Sequence, residues 1–151
     1  MRIGIVGCGL IGQKRAAAAK GHEVLLVTDL DAGRAQALAD KTGATVSKDW
    51  QALVAADIDV VIIATLHGSL APIAIGALEA GKHVLIEKPL VATVAEAEEP
   101  VRLSHSRNRT LLVGHTFLYN PAVTALREII QSGEIGSIYY INATRASLGL
   151  Y

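Results

Sequence analysis

The chain has 151 residues, 51% of them hydrophobic, with 14 Lys plus Arg set against 14 Asp plus Glu. This length suits one domain with a real core rather than two full domains, and the balanced charge supplies no field to draw nucleic acid or an anionic membrane. Apolar runs of four to six residues are too short for a spanning helix, no secretory signal opens the chain, and one cysteine excludes an internal disulfide, so a cytoplasmic protein with a small-molecule partner is expected.

The chain begins with an apolar strand, Ile3 to Val6, running straight into Gly7-Cys8-Gly9-Leu10-Ile11-Gly12 and a helix over Leu10 to Lys20. In that strand-loop-helix context the glycine spacing predicts dinucleotide binding. Gly7 permits the tight turn, Gly9 lets the backbone approach a pyrophosphate, and Gly12 lets the helix pack on the strand. The diphosphate is expected against the amides of Cys8 through Ile11, Leu10 included, at the positive end of the helix dipole; a plain strand-to-helix turn is the alternative. Cys8 reads as a small apolar filler, the other reading being a reactive thiol at a helix start.

Further buried strands are predicted at Glu23 to Val27, Val60 to Ala64, His83 to Ile86 and Thr110 to Val113, with a weaker one near Ala44 to Val46. Helices fit Ala32 to Lys41, Trp50 to Ala55, Leu70 to Ala80 and Val94 to Arg107, with Gly21, Gly43 and Gly81 as stops and Trp50 as a packing residue. The alternation predicts an α/β fold, a doubly wound parallel sheet of the Rossmann type. Thr93-Val94-Ala95-Glu96 has capping-box spacing, and Pro100 two turns later predicts a kink or break. Asn120-Pro121 opens a helix to Ser132 that Gly133 ends. Ile138 to Ala146 alternates as a half-exposed strand, read as the start of a second α/β domain that is cut off. The expected division is a dinucleotide-binding domain over 1–118 and a connecting helix and first strand over 119–151.

Asp29 closes the second strand, seventeen positions after Gly12, where a carboxylate accepts from adenosine ribose hydroxyls and repels a 2′-phosphate. NAD is therefore favoured over NADP, although Arg34 is close enough in sequence to approach a 2′-phosphate. The strand His83 to Ile86 delivers Glu87-Lys88-Pro89 at the sheet edge where ligands collect. Lys88 could exchange a proton with a substrate hydroxyl, or form a silent surface pair with Glu87. His115 follows the strand ending at Val113 and could face the nicotinamide or be structural. No metal site is expected.

The Gly loop, the acid after the second strand, the segment AGKHVLIEKPL (80–90) and the segment LLVGHTFLYNPAVTALREIIQSGEIGSIYYI (111–141) together resemble the Gfo/Idh/MocA family of NAD(P)-dependent sugar and polyol oxidoreductases. The resemblance covers essentially the whole chain. It implies that Lys88 is the catalytic lysine, Glu87 a ribose or nicotinamide-side contact, Thr65 a cofactor contact, and Lys88-Pro89 a cis peptide. Two departures stand out. Thr65-Leu66-His67 followed by Leu70 replaces the family's Thr-Pro-Asn and later His, leaving His67 a substitute contact or a loop residue, and Leu118 stands where an Arg is common. The implied reaction moves a hydride between NAD and a hydroxyl of a sugar, nucleotide-sugar or cyclitol, in a full-length homo-oligomer; the fragment alone should bind dinucleotide and turn over little, because further groups belong to a second domain. The competing class is a non-catalytic, redox-sensing dinucleotide module.

Overall fold

Short aliphatic runs between glycine-terminated helices condense into one sheet, seen in a computed structural model that describes residues 1–144 and 146. Its strands are β1 (Arg2–Val6), β2 (Glu23–Thr28), β3 (Thr45–Val46), β4 (Val60–Ile63), β5 (His83–Ile86) and β6 (Leu111–Val113), in the order β3-β2-β1-β4-β5-β6. Every neighbouring pair is parallel. The helices are α1 (Leu10–Ala18), α2 (Ala32–Thr42), α3 (Trp50–Ala55), α4 (His67–Glu79), α5 (Val94–Ser106) and α6 (Pro121–Ser132). Strand order reverses between β1 and β4, and ligands of such sheets bind in the crevice outside the carboxyl ends of those strands.

Alternation along each strand divides the core between two faces. Ile5, Val27 and Ile62 pack with Ala35, Leu38 and Ala39 of α2. Val6, Val61, Ile63, Val84 and Ile86 pack with Leu53 and with Leu70, Ala74 and Leu78 of α4. Gly4 is needed for the second layer, since a Cβ there would stand 2.6 Å from Leu53 and 2.7 Å from Ile58. Trp50 does pack: its ring fills the gap left by Gly76, whose Cβ would come within 2.6 Å of it.

The predicted elements recur with shifted ends. α1 stops at Ala18, short of Lys20, and α4 starts at His67, ahead of Leu70. The capping box forms in both directions: Glu96 N–H donates to Thr93 Oγ1 at 3.3 Å and Thr93 N–H to Glu96 Oε2 at 3.1 Å. The break expected at Pro100 is absent. α5 runs through it as one helix, because the proline forfeits a single backbone bond while its ring is wholly buried.

The chain divides into two compact units, Met1–Gly114 and His115–Tyr151. The second holds a 3₁₀ turn at Thr116–Tyr119 and α6, whose first turn is capped by Asn120 Oδ1 accepting from Ala122 N–H at 2.9 Å and whose end is Gly133 at φ +75°. The strand expected from Ile138 to Ala146 is not found over 138–144, and Arg145 lies outside the described residues. A strand needs a partner for its N–H and C=O groups, and this unit has no strand among its described residues. No helix among those residues is long and apolar enough to cross a membrane.

Candidate functional site

The turn from β1 into α1 is shaped by contact. Gly7 has φ +94° and a Cβ there would stand 2.5 Å from the Ala64 carbonyl oxygen, while its own N–H donates to the Thr28 carbonyl at 2.8 Å. A Cβ on Gly12 would overlap the Gly7 carbonyl oxygen. Gly9 differs: a Cβ on it would meet nothing within 4 Å. The helix that follows has no side-chain cap, and the N–H groups of Leu10 and Ile11 find no acceptor among the described residues. Such unpaired donors at a helix start suit an anion.

Asp29 ends β2 beside this turn. Its Oδ2 accepts from the Cys8 N–H at 2.6 Å and its Oδ1 from the Asp31 N–H at 2.9 Å. The Cys8 amide is therefore already engaged, and the run of free donors expected from Cys8 through Ile11 is shorter by one. A carboxylate oxygen accepts more than one hydrogen bond, so Asp29 keeps capacity for ribose hydroxyls. Arg34 is tied locally instead, its Nε 3.4 Å from Asp31 Oδ2 with both side chains more than half exposed. Cys8 is fully buried; burial, then the Asp29 charge, pushes its thiol up to about 11. The filler reading therefore stands and the reactive-thiol reading does not.

At the end of β5 the Lys88–Pro89 peptide is cis, as the resemblance implies. Lys88 is exposed. Glu87 is held by Arg15 of α1, whose Nε donates to Glu87 Oε1 at 2.6 Å while Nη2 closes on the same oxygen. Gly114 at the end of β6 gives the pair room. A Cβ there would stand 3.0 Å from Glu87 Oε2 and 3.1 Å from Arg15 Nη2. At the end of β4, Thr65 Oγ1 accepts from Ser69 Oγ at 2.9 Å. His67 is the exposed first residue of α4 rather than a loop residue, and α4, like α1, starts without a side-chain cap. His67 and Pro89 line a cleft of about 620 Å³ together with Glu96 and Glu99 of α5. His115 belongs to the second unit, where it opens the 3₁₀ turn with its carbonyl accepting from the Leu118 N–H at 3.0 Å.

Gly7, Gly9, Asp29, Thr65, Glu87 and Lys88 thus lie in one unit, just past the carboxyl ends of β1, β2, β4 and β5, with Leu10, Ile11 and Gly12 in the first turn of α1. The residues fit a dinucleotide: open space over Gly9, free amides for a diphosphate and a fixed carboxylate for a ribose. The sequence reading missed Arg15 and Ser69. Arg15 sits three residues after the buried Gly12, and that spacing is the signal, since it puts the guanidinium on the sheet-facing side of α1.

Residues 1–115 match the family described as "Oxidoreductase family, NAD-binding Rossmann fold". Inositol 2-dehydrogenase of Salmonella typhimurium is 35% identical over 144 residues, covering 90% of this chain and 43% of that protein. GenD2 from gentamicin A biosynthesis, in complex with NAD, superposes with a TM-score of 0.85 at 29% identity over 89% of this chain and 40% of its own. UDP-N-acetylglucosamine 3-dehydrogenase from Acidithiobacillus ferrooxidans gives 0.80 at 32% identity over 85% and 42%. The chain spans less than half the length of these relatives. With its glycine turn, its carboxylate at the end of β2 and its cis Lys88–Pro89 step, this chain belongs to the Gfo/Idh/MocA family of oxidoreductases.

Proposed function

We propose that this chain is the dinucleotide-binding part of an NAD-dependent dehydrogenase acting on a secondary hydroxyl of a sugar, nucleotide-sugar or cyclitol. The observation that carries the reading is the bare start of α1, where two free amides lie beneath the open space over Gly9. The substrate class is supported by relatives named inositol 2-dehydrogenase and UDP-N-acetylglucosamine 3-dehydrogenase. Those are names of enzymes with turnover, which favours catalysis over a redox-sensing module.

In this reading the Leu10 and Ile11 amides hold the diphosphate, with Gly7, Gly9 and Gly12 shaping the turn beneath it. Asp29 accepts from the ribose hydroxyls, and its charge disfavours a 2′-phosphate, which selects NAD over NADP. Thr65, Glu87 and His115 serve the nicotinamide side. Bound NAD supplies the hydride acceptor. Lys88 takes the proton from the substrate hydroxyl as the carbon gives up its hydride, and returns it in the reverse direction. Excluding water and orienting the substrate are worth many kcal/mol in such a step, so residues 119–151 and the remainder of a longer protein would complete the pocket as a second domain. The reading extends to a cytoplasmic homo-oligomer without nucleic-acid or membrane partners; its one cysteine suits a reducing compartment.

Titration with NADH and NADPH, followed by coenzyme fluorescence, tests it. NADH is expected to bind tighter; tighter NADPH overturns the role given to Asp29, and binding of neither overturns the whole reading. A panel of sugars and cyclitols assayed with the full natural protein then tests Lys88, whose replacement by Ala is expected to abolish turnover while NADH still binds.

A further inference from the structure

Glu87 and Lys88 are chain neighbours of opposite charge, yet they are not partners. Glu87 is taken by Arg15 from across the sheet, in a pair whose side chains are only 22% and 15% exposed. Lys88 has no hydrogen bond or ion pair among the described residues. We propose that Arg15 is a positioning residue for Lys88: by holding Glu87 it keeps that carboxylate from pairing with the adjacent ammonium, and so leaves the amine free for proton exchange. The proposal rests on the reading of Lys88 as the proton-relay group.

A guanidinium with two donors on one carboxylate holds it in a fixed place, which a single ammonium on a flexible stem does not. Without Arg15, Glu87 becomes a largely buried anion whose next cation along the chain is Lys88. Pairing would favour the charged form of that amine and delay its loss of a proton. The carboxylates that line the cleft with Pro89 are already engaged. On α5, Glu96 accepts from the Ala92 and Thr93 amides, both at 3.1 Å, and Glu99 is bonded by Arg102 at 2.7 and 2.9 Å. At the end of β2, Asp29 is held by the Cys8 and Asp31 amides. His67, the other titratable group lining that cleft with Pro89, supplies no negative charge. Gly114 completes the device, because any side chain there would crowd both members of the pair.

The test titrates Lys88 directly. Lysines of the full natural chain are reductively methylated with a carbon-13 label, and the Lys88 signal, identified by its loss in Lys88→Arg, is followed by NMR against pH. Arg15→Ala is expected to raise the Lys88 midpoint by about 0.5 pH unit over the parent. Arg15→Lys should restore most of the parent value, and the Arg15→Ala/Glu87→Gln double variant should abolish the rise. A merely structural arginine would lower thermal stability without moving the midpoint. An unchanged midpoint in Arg15→Ala, or a rise that persists in the double variant, overturns the proposal. Should Arg15→Ala fail to fold, Arg15→Met takes its place: it keeps an unbranched side chain without the charge or the donors, the same rise is expected, and its absence is equally fatal. This readout needs no turnover, so it stands apart from the activity of Lys88→Ala, which tests the relay role itself.

Discussion

At the edge of the sheet where β1, β4, β5 and β6 begin, charged groups are tied to one another or to backbone. Arg2 pairs with Asp57 and Asp59, Lys82 Nζ donates to the Ala56 carbonyl at 2.8 Å, Arg109 Nε donates to the Gly81 carbonyl at 2.5 Å, and the Thr110 N–H donates to His83 Nδ1 at 3.0 Å. At the opposite edge the helices differ among themselves. α2, α3 and α5 start on side-chain caps from Asp31, Asp49 and Thr93, whereas α1 and α4, on either side of the β1–β4 reversal, have none. The amino edge is finished for stability and the carboxyl edge is left with donors to spend. An uncapped helix start costs about 1 kcal/mol, and among the described α-helices that cost falls on the two that flank the β1–β4 reversal.

The largest effect expected is that of Gly12→Ala. Its Cβ would overlap the Gly7 carbonyl oxygen, so urea unfolding should show a loss of about 3 kcal/mol or more. An unchanged midpoint would mean the glycine turn is looser than contact requires. Gly9→Ala sharpens the comparison from the other side: with nothing within 4 Å of its Cβ, stability should stay within about 0.5 kcal/mol, while NADH affinity falls at least about tenfold, or about 1.4 kcal/mol. Equal losses in both measurements would erase the distinction between holding the fold and holding a ligand. Thr93→Ala removes a cap from a helix outside the crevice; about 1 kcal/mol of stability should go with NADH affinity unmoved.

The smallest effect at neutral pH belongs to the amino edge. The side-chain hydrogen bond from Arg2 and that from its N–H hold Asp59 down, from 3.8 to about 2. A depressed carboxyl contributes stability that is present above its unfolded value and is lost as pH falls through its folded one. For Asp59 that window runs from 3.8 down to about 2, so Asp59→Asn should flatten the acid limb of the stability profile there. Parallel limbs for parent and variant would show that the Arg2 staple is not linked to folding.

Much of the fold was readable because its signals are local. Buried parallel strands announce themselves as unbroken aliphatic runs, and positions such as Gly43 at φ +76° and Gly133 at φ +75° mark helix ends wherever they occur. The capping box at Thr93 was readable for the same reason. Of the kink or break expected at Pro100, the break is absent because the penalty is local while the burial that outweighs it is not. No strand forms over 138–144, since alternation describes a surface, while a strand exists only where a partner accepts its hydrogen bonds.

Spacing along the chain was enough to determine the glycine turn, the carboxylate that ends β2 and the lysine that ends β5, since each depends on neighbours a few residues away and on a strand that points all of them to one edge. Only the tertiary structure decided which charges are free. That Arg15 takes Glu87 and that Asp29 takes the Cys8 amide follow from groups meeting across strands and helices, 72 and 21 residues apart in sequence. Electrostatic pairing falls off with distance in space, and no linear pattern records that distance.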